Sequence, residues 1–289
     1  MPDAPGLLPP IDPVSSRQFL IAVKRLADAL GYGTDRSPFL GSGLEYVQSR
    51  PYVPGDPVKS IDWRVSARTG KVFVKEYEAP KRMPVLLLVD TSASMTVSSG
   101  PLSKYAWAVR IAGGLAFAAL DRMSPVGLVG VGDREISVEP SLSRDQVYQW
   151  LFRLRRFRFD ETTTLSARLM ELCSVLPHRA LLVVLSDLHD PRAAATLKLA
   201  AQKHDTAVVQ LQDPAERGLP GAGLFRAREA ETGRDFVTHG GRAWLDQDGL
   251  QRELKGARVD HLLLPLDRPM LHKLVRFFRL RDKLGKGAR

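Results

Sequence analysis

Short apolar runs that alternate with helical patterns are the feature that most constrains the fold of this chain. The runs are continuous and of strand length, which is typical of strands buried on both faces of a sheet; they are 85-VLLLVD-90, 126-VGLVGVG-132, 181-LLVVLSD-187 and 206-TAVVQLQ-212. Helical spacing of apolar residues predicts helices at about 103–121, 143–155, 165–176, 191–203, 242–255 and 267–281. Strands that alternate with such helices predict an α/β fold, with a mostly parallel sheet and helices on both faces.

The chain divides into three predicted parts. Residues 1–14 hold five prolines and little to bury, so we expect a mobile leader. Residues 15–82 combine an amphipathic helix with an irregular β-rich arm, in which 71-KVFVKEYE-78 alternates like a half-exposed strand. The apolar face of this helix consists of Phe19, Leu20, Val23, Leu26, Ala27 and Leu30. The main domain covers residues 83–289 and adds three features, which are a hairpin, a last strand and a basic C-terminal helix at 223–239, 259–266 and 267–281.

The chain is basic, with 42 Lys and Arg residues against 32 Asp and Glu residues and a formal charge of +10. The excess is concentrated in 153-RLRRFR-158 and in the tail 273–289, where Leu274, Phe277, Phe278 and Leu280 share an apolar face. Such a balance favours an acidic partner, which includes nucleic acid, anionic lipid and acidic protein surfaces. Solvated faces of surface helices explain the same clusters without any partner.

Other compositional features exclude several classes of protein. The single cysteine, Cys173, excludes a disulfide framework and a cysteine-based zinc site. The N-terminus lacks the basic start and apolar core of a secretory signal. The longest apolar stretch, 106–120, is too short to span a bilayer and contains Arg110. We therefore expect a soluble cytoplasmic protein without a membrane span.

Polar side chains follow the first predicted strand in the pattern Asp90-x-Ser92-x-Ser94. Ligands of open parallel sheets bind outside the carboxyl ends of the strands, where Asp90 would lie. The turn after it would bring both serine hydroxyls to the same point. Oxygen donors of this kind suit Mg²⁺, with Mn²⁺ or Ca²⁺ as alternatives. Because one carboxylate leaves such an ion under-neutralised, we expect the ion to accept a further carboxylate from a partner.

Two further segments carry suitable oxygens. The loop 160-DETTTLSARL-169 places hydroxyls before a helix, and 181-LLVVLSD-187 ends in Asp187 as the first strand ends in Asp90. Together these motifs resemble the metal-ion-dependent adhesion site of the Rossmann-like von Willebrand factor A domain. The resemblance implies a metal site of Asp90, Ser92, Ser94, Thr163 and Asp187. Since the glycines usual before the threonine are replaced here by 160-DET-162, Thr162 or Thr164 is an alternative ligand.

The arm extends this resemblance. Residues 45–78, EYVQSRPYVPGDPVKSIDWRVSARTGKVFVKEYE, resemble the signature of the family called domain of unknown function 58. That family joins such an arm to a von Willebrand-like domain, and the resemblance covers roughly residues 38 to 280. Members are commonly found beside MoxR-type AAA+ ATPases. The resemblance therefore implies an adaptor that binds such an ATPase or its client.

Several conspicuous residues have a structural interpretation. In the arm, Arg50, Tyr52, Asp56, Asp62, Trp63 and Arg68 are expected to brace a loop-rich segment, with Trp63 and Ile61 packed, Asp62 and Arg68 paired or hydrogen-bonded, and Gly55 in a turn. The pair His189-Asp190 suggests a metal hydrolase, but no second histidine stands at ligand spacing. A surface loop is the favoured interpretation there.

We therefore predict a protein-interaction module that is not an enzyme. The sequence contains no Gly-x-Ser-x-Gly elbow, and 41-GSG-43 and 218-GLPGAG-223 lack the context of a phosphate-binding loop. The main alternative is a nucleic-acid-binding protein that uses the basic helices. A Mg²⁺-dependent phosphohydrolase ranks lower, because Ser92 stands where that mechanism needs an acid or another proton donor.

Overall fold

A computed structural model gives the fold of the chain. It describes residues 6–7, 21, 23–28, 45–78, 83–158, 160–219, 221–241, 245–267 and 270–283. The predicted leader lies almost entirely outside the described residues, as do Phe19, Leu20 and Leu30 of the predicted first helix.

The described strands are, in chain order, β1 (Gly6–Leu7), β2 (Glu45–Pro51), β3 (Phe73–Glu78), β4 (Val85–Val89), β5 (Val126–Gly130), β6 (Ser137–Ser141), β7 (Arg156–Phe157), β8 (Leu181–Ser186), β9 (Asp205–Gln212), β10 (Leu224–Arg228), β11 (Asp235–His239) and β12 (Asp260–Pro265). The α-helices are α1 (Trp63–Thr69), α2 (Lys104–Asp121), α3 (Arg144–Leu154), α4 (Leu165–Val175), α5 (Ala193–Lys203), α6 (Gln247–Gly256) and α7 (Leu271–Lys283). Residues 23–28 are also helical, and short 3₁₀ helices span Val58–Ser60, Ala93–Thr96 and Pro214–Arg217.

The central sheet has the strand order β12-β9-β8-β4-β5-β6. Every neighbouring pair is parallel except β5 and β6, which are antiparallel. The prediction of an α/β fold with a mostly parallel sheet is therefore confirmed. The edge strand β6 was not predicted, because its sequence SVEPS has no apolar run. Pro140 has no backbone N–H to donate. It is compatible with an edge strand, because the open side of such a strand needs no backbone hydrogen bond.

Helices cover both faces of the sheet, as predicted. Strand β4 is buried throughout, and its alternate side chains belong to different cores. Leu87 packs in the core formed with α2, α3 and α7, whereas Leu86 and Leu88 pack in the core formed with α4, α5 and α6. This arrangement explains why the strand is apolar without alternation.

The helical residues 23–28 pack against α2. Val23, Leu26 and Ala27 are buried in the first core, as the predicted apolar face requires. Their approach is close, because a Cβ atom built on Gly114 would lie 2.5 Å from Cδ2 of Leu26. Glycine at this position therefore permits the contact between the two helices.

The arm is an antiparallel β2–β3 ribbon with a short helix, α1, between its strands. Asp62 caps this helix by accepting from the backbone amides of Arg64 and Val65, and it also accepts from the Ser49 hydroxyl at 2.7 Å. The prediction that Asp62 is hydrogen-bonded holds through these donors. Helix α1 was not predicted, because seven residues give too short a periodicity to recognise.

Two other predictions for the arm have different outcomes. Gly55 adopts φ +111°, a turn conformation that favours glycine, and Arg50 donates to both carboxylate oxygens of Asp56 at 2.7 Å. The prediction that Trp63 is packed was wrong, since its side chain is 68% exposed. Trp63 is the first residue of α1, directly after the capping residue Asp62.

Part of the positive charge of the C-terminal helix α7 is used in contacts within the protein. Arg281 is buried and bridges Asp205 and Asp260 at 2.8 and 2.7 Å, which ties α7 to β9 and β12. Leu274 and Phe278 are buried beneath the helix, but Leu280 is exposed, so the predicted apolar face is narrower than expected. Arg281 is thus not available to an acidic partner.

Replacement of Gly114 by alanine should destabilise the protein. The added methyl would overlap Leu26, and overpacking of this kind costs about 1–3 kcal/mol. Chemical denaturation monitored by circular dichroism measures the loss. Gly256→Ala is the matched control, because this helical position has open space and should be neutral or slightly stabilising. Equal stability of the two variants would contradict the packing described here.

Stability should also depend on the protonation of His261. Burial lowers the pKa of this side chain to about 4, and its Nε2 lies 2.9 Å from Oε1 of Gln210. The unfolded chain binds this proton near pH 6.5, so the unfolded state holds more protons between the two values. The stabilisation is therefore complete above pH 6.5 and is lost as the pH falls toward 4.

We expect His261 to contribute a loss of about 1–2 kcal/mol in the free energy of unfolding between pH 7 and pH 5. His261→Gln, which keeps a donor for Gln210, should flatten this dependence. His178→Gln, at an exposed histidine, should leave it unchanged. Urea denaturation at several pH values makes the comparison, and parallel curves for wild type and His261→Gln would refute the assignment.

Candidate functional site

Two carboxylates lie side by side at the carboxyl edge of the sheet. Strands β4 and β8 are parallel neighbours with Val89 opposite Leu185, so the residues that follow them emerge together. The backbone amide of Asp90 donates to the carbonyl of Leu185 at 2.9 Å. Asp90 is 1% and Asp187 2% exposed. The two acids predicted to share one site are therefore neighbours in the structure.

Asp90 is held by two hydrogen bonds. Its Oδ1 accepts from the Ser92 amide at 3.0 Å, and its Oδ2 accepts from the Ser186 hydroxyl at 2.5 Å. Burial raises the pKa of Asp90 to about 7, and the nearby Asp187 carboxylate adds to the rise. Charge on Asp90 is thus unfavourable unless a cation compensates for it.

The two serines of the motif extend this cluster toward Asp187. Ser92 precedes the 3₁₀ helix Ala93–Thr96, and its hydroxyl oxygen lies 3.1 Å from that of Ser94. The Ser94 hydroxyl donates to Oδ2 of Asp187 at 2.8 Å. Because its proton is directed at Asp187, the Ser94 oxygen can accept from Ser92 and still keeps a lone pair for another partner. The structure thus brings Asp90, Ser92, Ser94 and Asp187 together.

The three threonines before α4 have different surroundings. The Thr162 hydroxyl donates to Oδ1 of Asp133 at 2.8 Å, and the Thr164 hydroxyl donates to the carbonyl of Gly132 at 2.9 Å. The Thr163 hydroxyl oxygen is buried and has no hydrogen-bond partner among the described residues. Of the three candidates, Thr163 therefore has the uncommitted hydroxyl.

Residues 160–164, called here the threonine loop, are hydrogen-bonded to the rest of the site through their backbone. The carbonyl of Glu161 accepts from the amide of Ala93, and the amide of Thr164 donates to the carbonyl of Val131. Gly132 is required for close approach here, because an added Cβ would lie 2.1 Å from the Thr91 hydroxyl. The end of β5, residues 90–94 and the threonine loop are consequently held together along one edge of the site.

The site contains a buried lysine, Lys104, that was not predicted from the sequence. The ammonium group of Lys104 donates to Oδ2 of Asp187 at 2.7 Å and also pairs with Glu216. Burial alone would lower the pKa of Lys104, but the two carboxylates outweigh it and raise the value. Burial likewise would raise the pKa of Asp187, yet Lys104 leads the opposing interactions and the pKa is lowered.

One signal in the sequence points to Lys104 in retrospect. It is the first residue of α2, whose N-terminus carries a partial positive charge that disfavours a cation. A lysine at this position, followed by an apolar helix, indicates that an acid lies opposite. Glu216 has no comparable signal, since it belongs to a short 3₁₀ helix capped by Asp213.

His189 lies beside the same acids. Its Nδ1 is 3.7 Å from Oδ2 of Asp187 and its Nε2 is 3.9 Å from Oε1 of Glu216. Ligand atoms of these three residues lie within 4.8 Å of one another. Asp190 takes no part, because it accepts from the backbone amides of Ser166 and Arg192. The pair His189-Asp190 is therefore split between two sets of contacts.

A further acid reaches the site from the β10–β11 hairpin. Oε2 of Glu231 accepts from the backbone amide of Thr163 at 3.3 Å. This residue was not predicted, because nothing in the sequence links the turn of a hairpin to a loop 68 residues earlier. The hairpin itself was predicted at 223–239, and Gly233 in its turn has φ +70°.

Among the described residues, the arrangement offers oxygen donors and one lysine ammonium group. Carboxylate and hydroxyl oxygens are the ligands that hard divalent cations prefer. Cys173 lies half-buried in α4, and burial raises the pKa of its thiol, so it is not poised as a nucleophile. Fold and site together define an α/β protein with a cluster of acids and hydroxyls at the carboxyl edge of a mostly parallel sheet.

The family model described as "Protein of unknown function DUF58" matches residues 48–243, and the chain belongs to this family. The match begins within β2 and includes the rest of the arm, the motif after β4, the loop 160–164 and the β10–β11 hairpin. Every residue assigned above to the candidate site therefore lies within the family domain.

One similar protein matches most of the chain, and another matches about a third of it. The uncharacterized protein Rv1480 of Mycobacterium tuberculosis is 25% identical over 283 residues, which cover 92% of this chain and 89% of the relative. The uncharacterized protein YeaD of Bacillus subtilis is 26% identical over 104 residues, which cover 36% of this chain and 24% of that protein.

Two solved structures are also similar. An uncharacterized membrane spanning protein from Vibrio fischeri has a TM-score of 0.24 at 18% identity, and the match covers 69% of this chain and 96% of that one. The PilB minor pilin from Streptococcus sanguinis has a TM-score of 0.42 at 11% identity, with 76% and 67% covered. In the part of the present chain that the structure describes, none of the helices combines the length and apolar character needed to cross a bilayer.

Proposed function

We propose that this protein is a cation-dependent protein-interaction module of the von Willebrand factor A type. Asp90, Ser92, Ser94 and Thr163 would hold Mg²⁺, with Mn²⁺ or Ca²⁺ as substitutes, and Asp187 would contact the ion directly or orient Ser94 toward it. The observation that carries the proposal is the buried Thr163 hydroxyl, which lacks a hydrogen-bond partner among the described residues while its neighbours are engaged.

The chemistry of these donors fits a hard cation. A buried hydroxyl without a partner is costly, and coordination would satisfy the oxygen of Thr163. Ser94 directs its proton at Asp187, so its oxygen keeps a lone pair for the ion. The unfavourable charge on Asp90, which burial and Asp187 cause, would be offset by a dication. Each of these features supports the proposal independently.

A cation bound in this way would keep an affinity for one more carboxylate. Three of its donors are neutral hydroxyls, and Asp187 is already compensated by Lys104. A partner's Asp or Glu would therefore make a charge-assisted contact at a largely desolvated edge. Resemblance to family members that occur beside MoxR-type AAA+ ATPases supports such an ATPase, or its client, as the partner.

The proposal does not make the protein an enzyme. The residue two positions after Asp90 is Ser92, whose hydroxyl lies against Ser94, and this is not the acid that phosphohydrolase chemistry needs. Nucleic-acid binding is the less favoured alternative, because two arginines of the basic segments are engaged within the protein: Arg158 pairs with Asp160, and Arg281 is buried between two acids.

Asp90→Asn should separate metal binding from folding. In EDTA the variant should melt at the wild-type temperature or above it, because the substitution removes a charge that burial disfavours. Mg²⁺ should stabilise only the wild type, by about 2.7 kcal/mol at roughly one hundred times Kd. Calorimetric melting with and without Mg²⁺ gives both quantities.

Asp145→Asn is the control for this comparison, since Asp145 is an exposed acid in the first turn of α3. It should respond to Mg²⁺ like the wild type. If Mg²⁺ stabilises Asp90→Asn as much as the wild type, Asp90 is not a ligand and the proposed function fails.

Binding of the partner should depend on the ion. Immobilised protein should retain a MoxR-type ATPase from the same organism in Mg²⁺, and retention should fall at least about tenfold in EDTA or with Asp90→Asn, as expected when a charged contact is lost. Surface plasmon resonance with purified components measures this difference. Equal binding under all three conditions would argue against a metal-mediated contact.

A further inference from the structure

The turn of the β10–β11 hairpin places a carboxylate against the candidate cation site. Glu231 accepts from the backbone amide of Thr163 through Oε2, at 3.3 Å. Its other oxygen, Oε1, is buried and has no hydrogen-bond partner among the described residues. The hydroxyl oxygen of Thr163 is likewise buried and without a hydrogen-bond partner among the described residues. Two uncommitted oxygens, one from each loop, thus belong to residues in direct contact.

The surroundings of Glu231 are those of the proposed ligands. Burial raises its pKa, the Thr163 amide opposes this rise, and the nearby Asp187 carboxylate adds to it. The Glu231 carboxylate therefore lies against Thr163 and near Asp187, and repulsion from Asp187 works against this position.

A bound cation would resolve this repulsion and satisfy both free oxygens at once. We propose that Glu231 is an internal ligand of the cation and occupies the coordination position that a partner's carboxylate takes. This inference rests on the proposed function, and it adds a regulatory contact to it. The hairpin must leave the site before the partner can bind, so the isolated protein is self-blocked.

Several features of the β10–β11 hairpin would allow it to move away from the site. Strands β10 and β11 form a two-stranded sheet that does not join the central one, and an isolated hairpin is only marginally stable. Leu224 and Val237 are 75% and 70% exposed, so a partner has apolar surface to hold. At the base, Gly221 and Gly223 have φ +85° and +59°, which are conformations that glycine adopts without strain.

Titration of the full chain with Mn²⁺ alone tests the inference. Water proton relaxation reports the affinity for Mn²⁺ and the number of exchanging waters on the bound ion. Glu231→Gln should weaken Mn²⁺ binding by about tenfold, as for loss of a supporting ligand, and should add one exchanging water. Glu229→Gln is the matched control, because Glu229 lies in the same turn and accepts from Thr232 instead.

Acetate then probes the vacated position. In Glu231→Gln, millimolar acetate should displace the added water and reverse the gain in relaxation. In the wild type and in Glu229→Gln, acetate should have no effect, because Glu231 already fills the position.

The outcomes distinguish the two proposals. If the wild type does not bind Mn²⁺, or if Asp90→Asn binds it equally well, the proposed function fails and this inference fails with it. If Mn²⁺ binding requires Asp90 but Glu231→Gln matches the wild type in affinity, water count and response to acetate, only the internal ligand is overturned. Glu231 is then a structural contact to the Thr163 amide alone.

Discussion

The proximity of two buried carboxylates at the ends of neighbouring strands determines the rest of the site. Parallel pairing of β4 and β8 forces Asp90 and Asp187 together, where their mutual repulsion is not screened by water. The protein compensates for one of them with the ammonium of Lys104, delivered by the first turn of α2. Asp90 receives only hydrogen bonds, and this asymmetry leaves one acid in need of positive charge.

The scaffold around these acids was predictable because the sequence encodes it locally. Continuous apolar runs identify β4, β5, β8 and β9, and their order along the chain implies parallel pairing with helices on both faces. Strand β6 carries no such run, since an edge strand with one solvated face needs few apolar residues. For Trp63 the prediction failed in the other direction. Its aromatic side chain predicts burial, but the residue is largely exposed at the first position of α1.

The candidate site was only half predictable. Asp90, Ser92 and Ser94 share one short segment, so their meeting follows from local geometry, and Asp187 follows from the parallel register. Lys104, Glu216 and Glu231 reach the site from a helix, a 3₁₀ turn and a hairpin. Their meeting depends on how separate segments pack, which single-sequence periodicity does not specify. Among the threonines, only the hydrogen bonds of Thr162 and Thr164 distinguish Thr163.

A hydrogen bond behind the site has a broader consequence. The Gln210 amide in β9 donates to the main-chain carbonyl of Asp187 at 3.2 Å and exchanges hydrogen bonds with Gln247 at the start of α6. The bend that follows β8 is therefore clamped from the neighbouring strand, independently of any ligand. The backbone after β8 is therefore set before any group binds, and the reorganisation that binding requires falls on the β10–β11 hairpin instead.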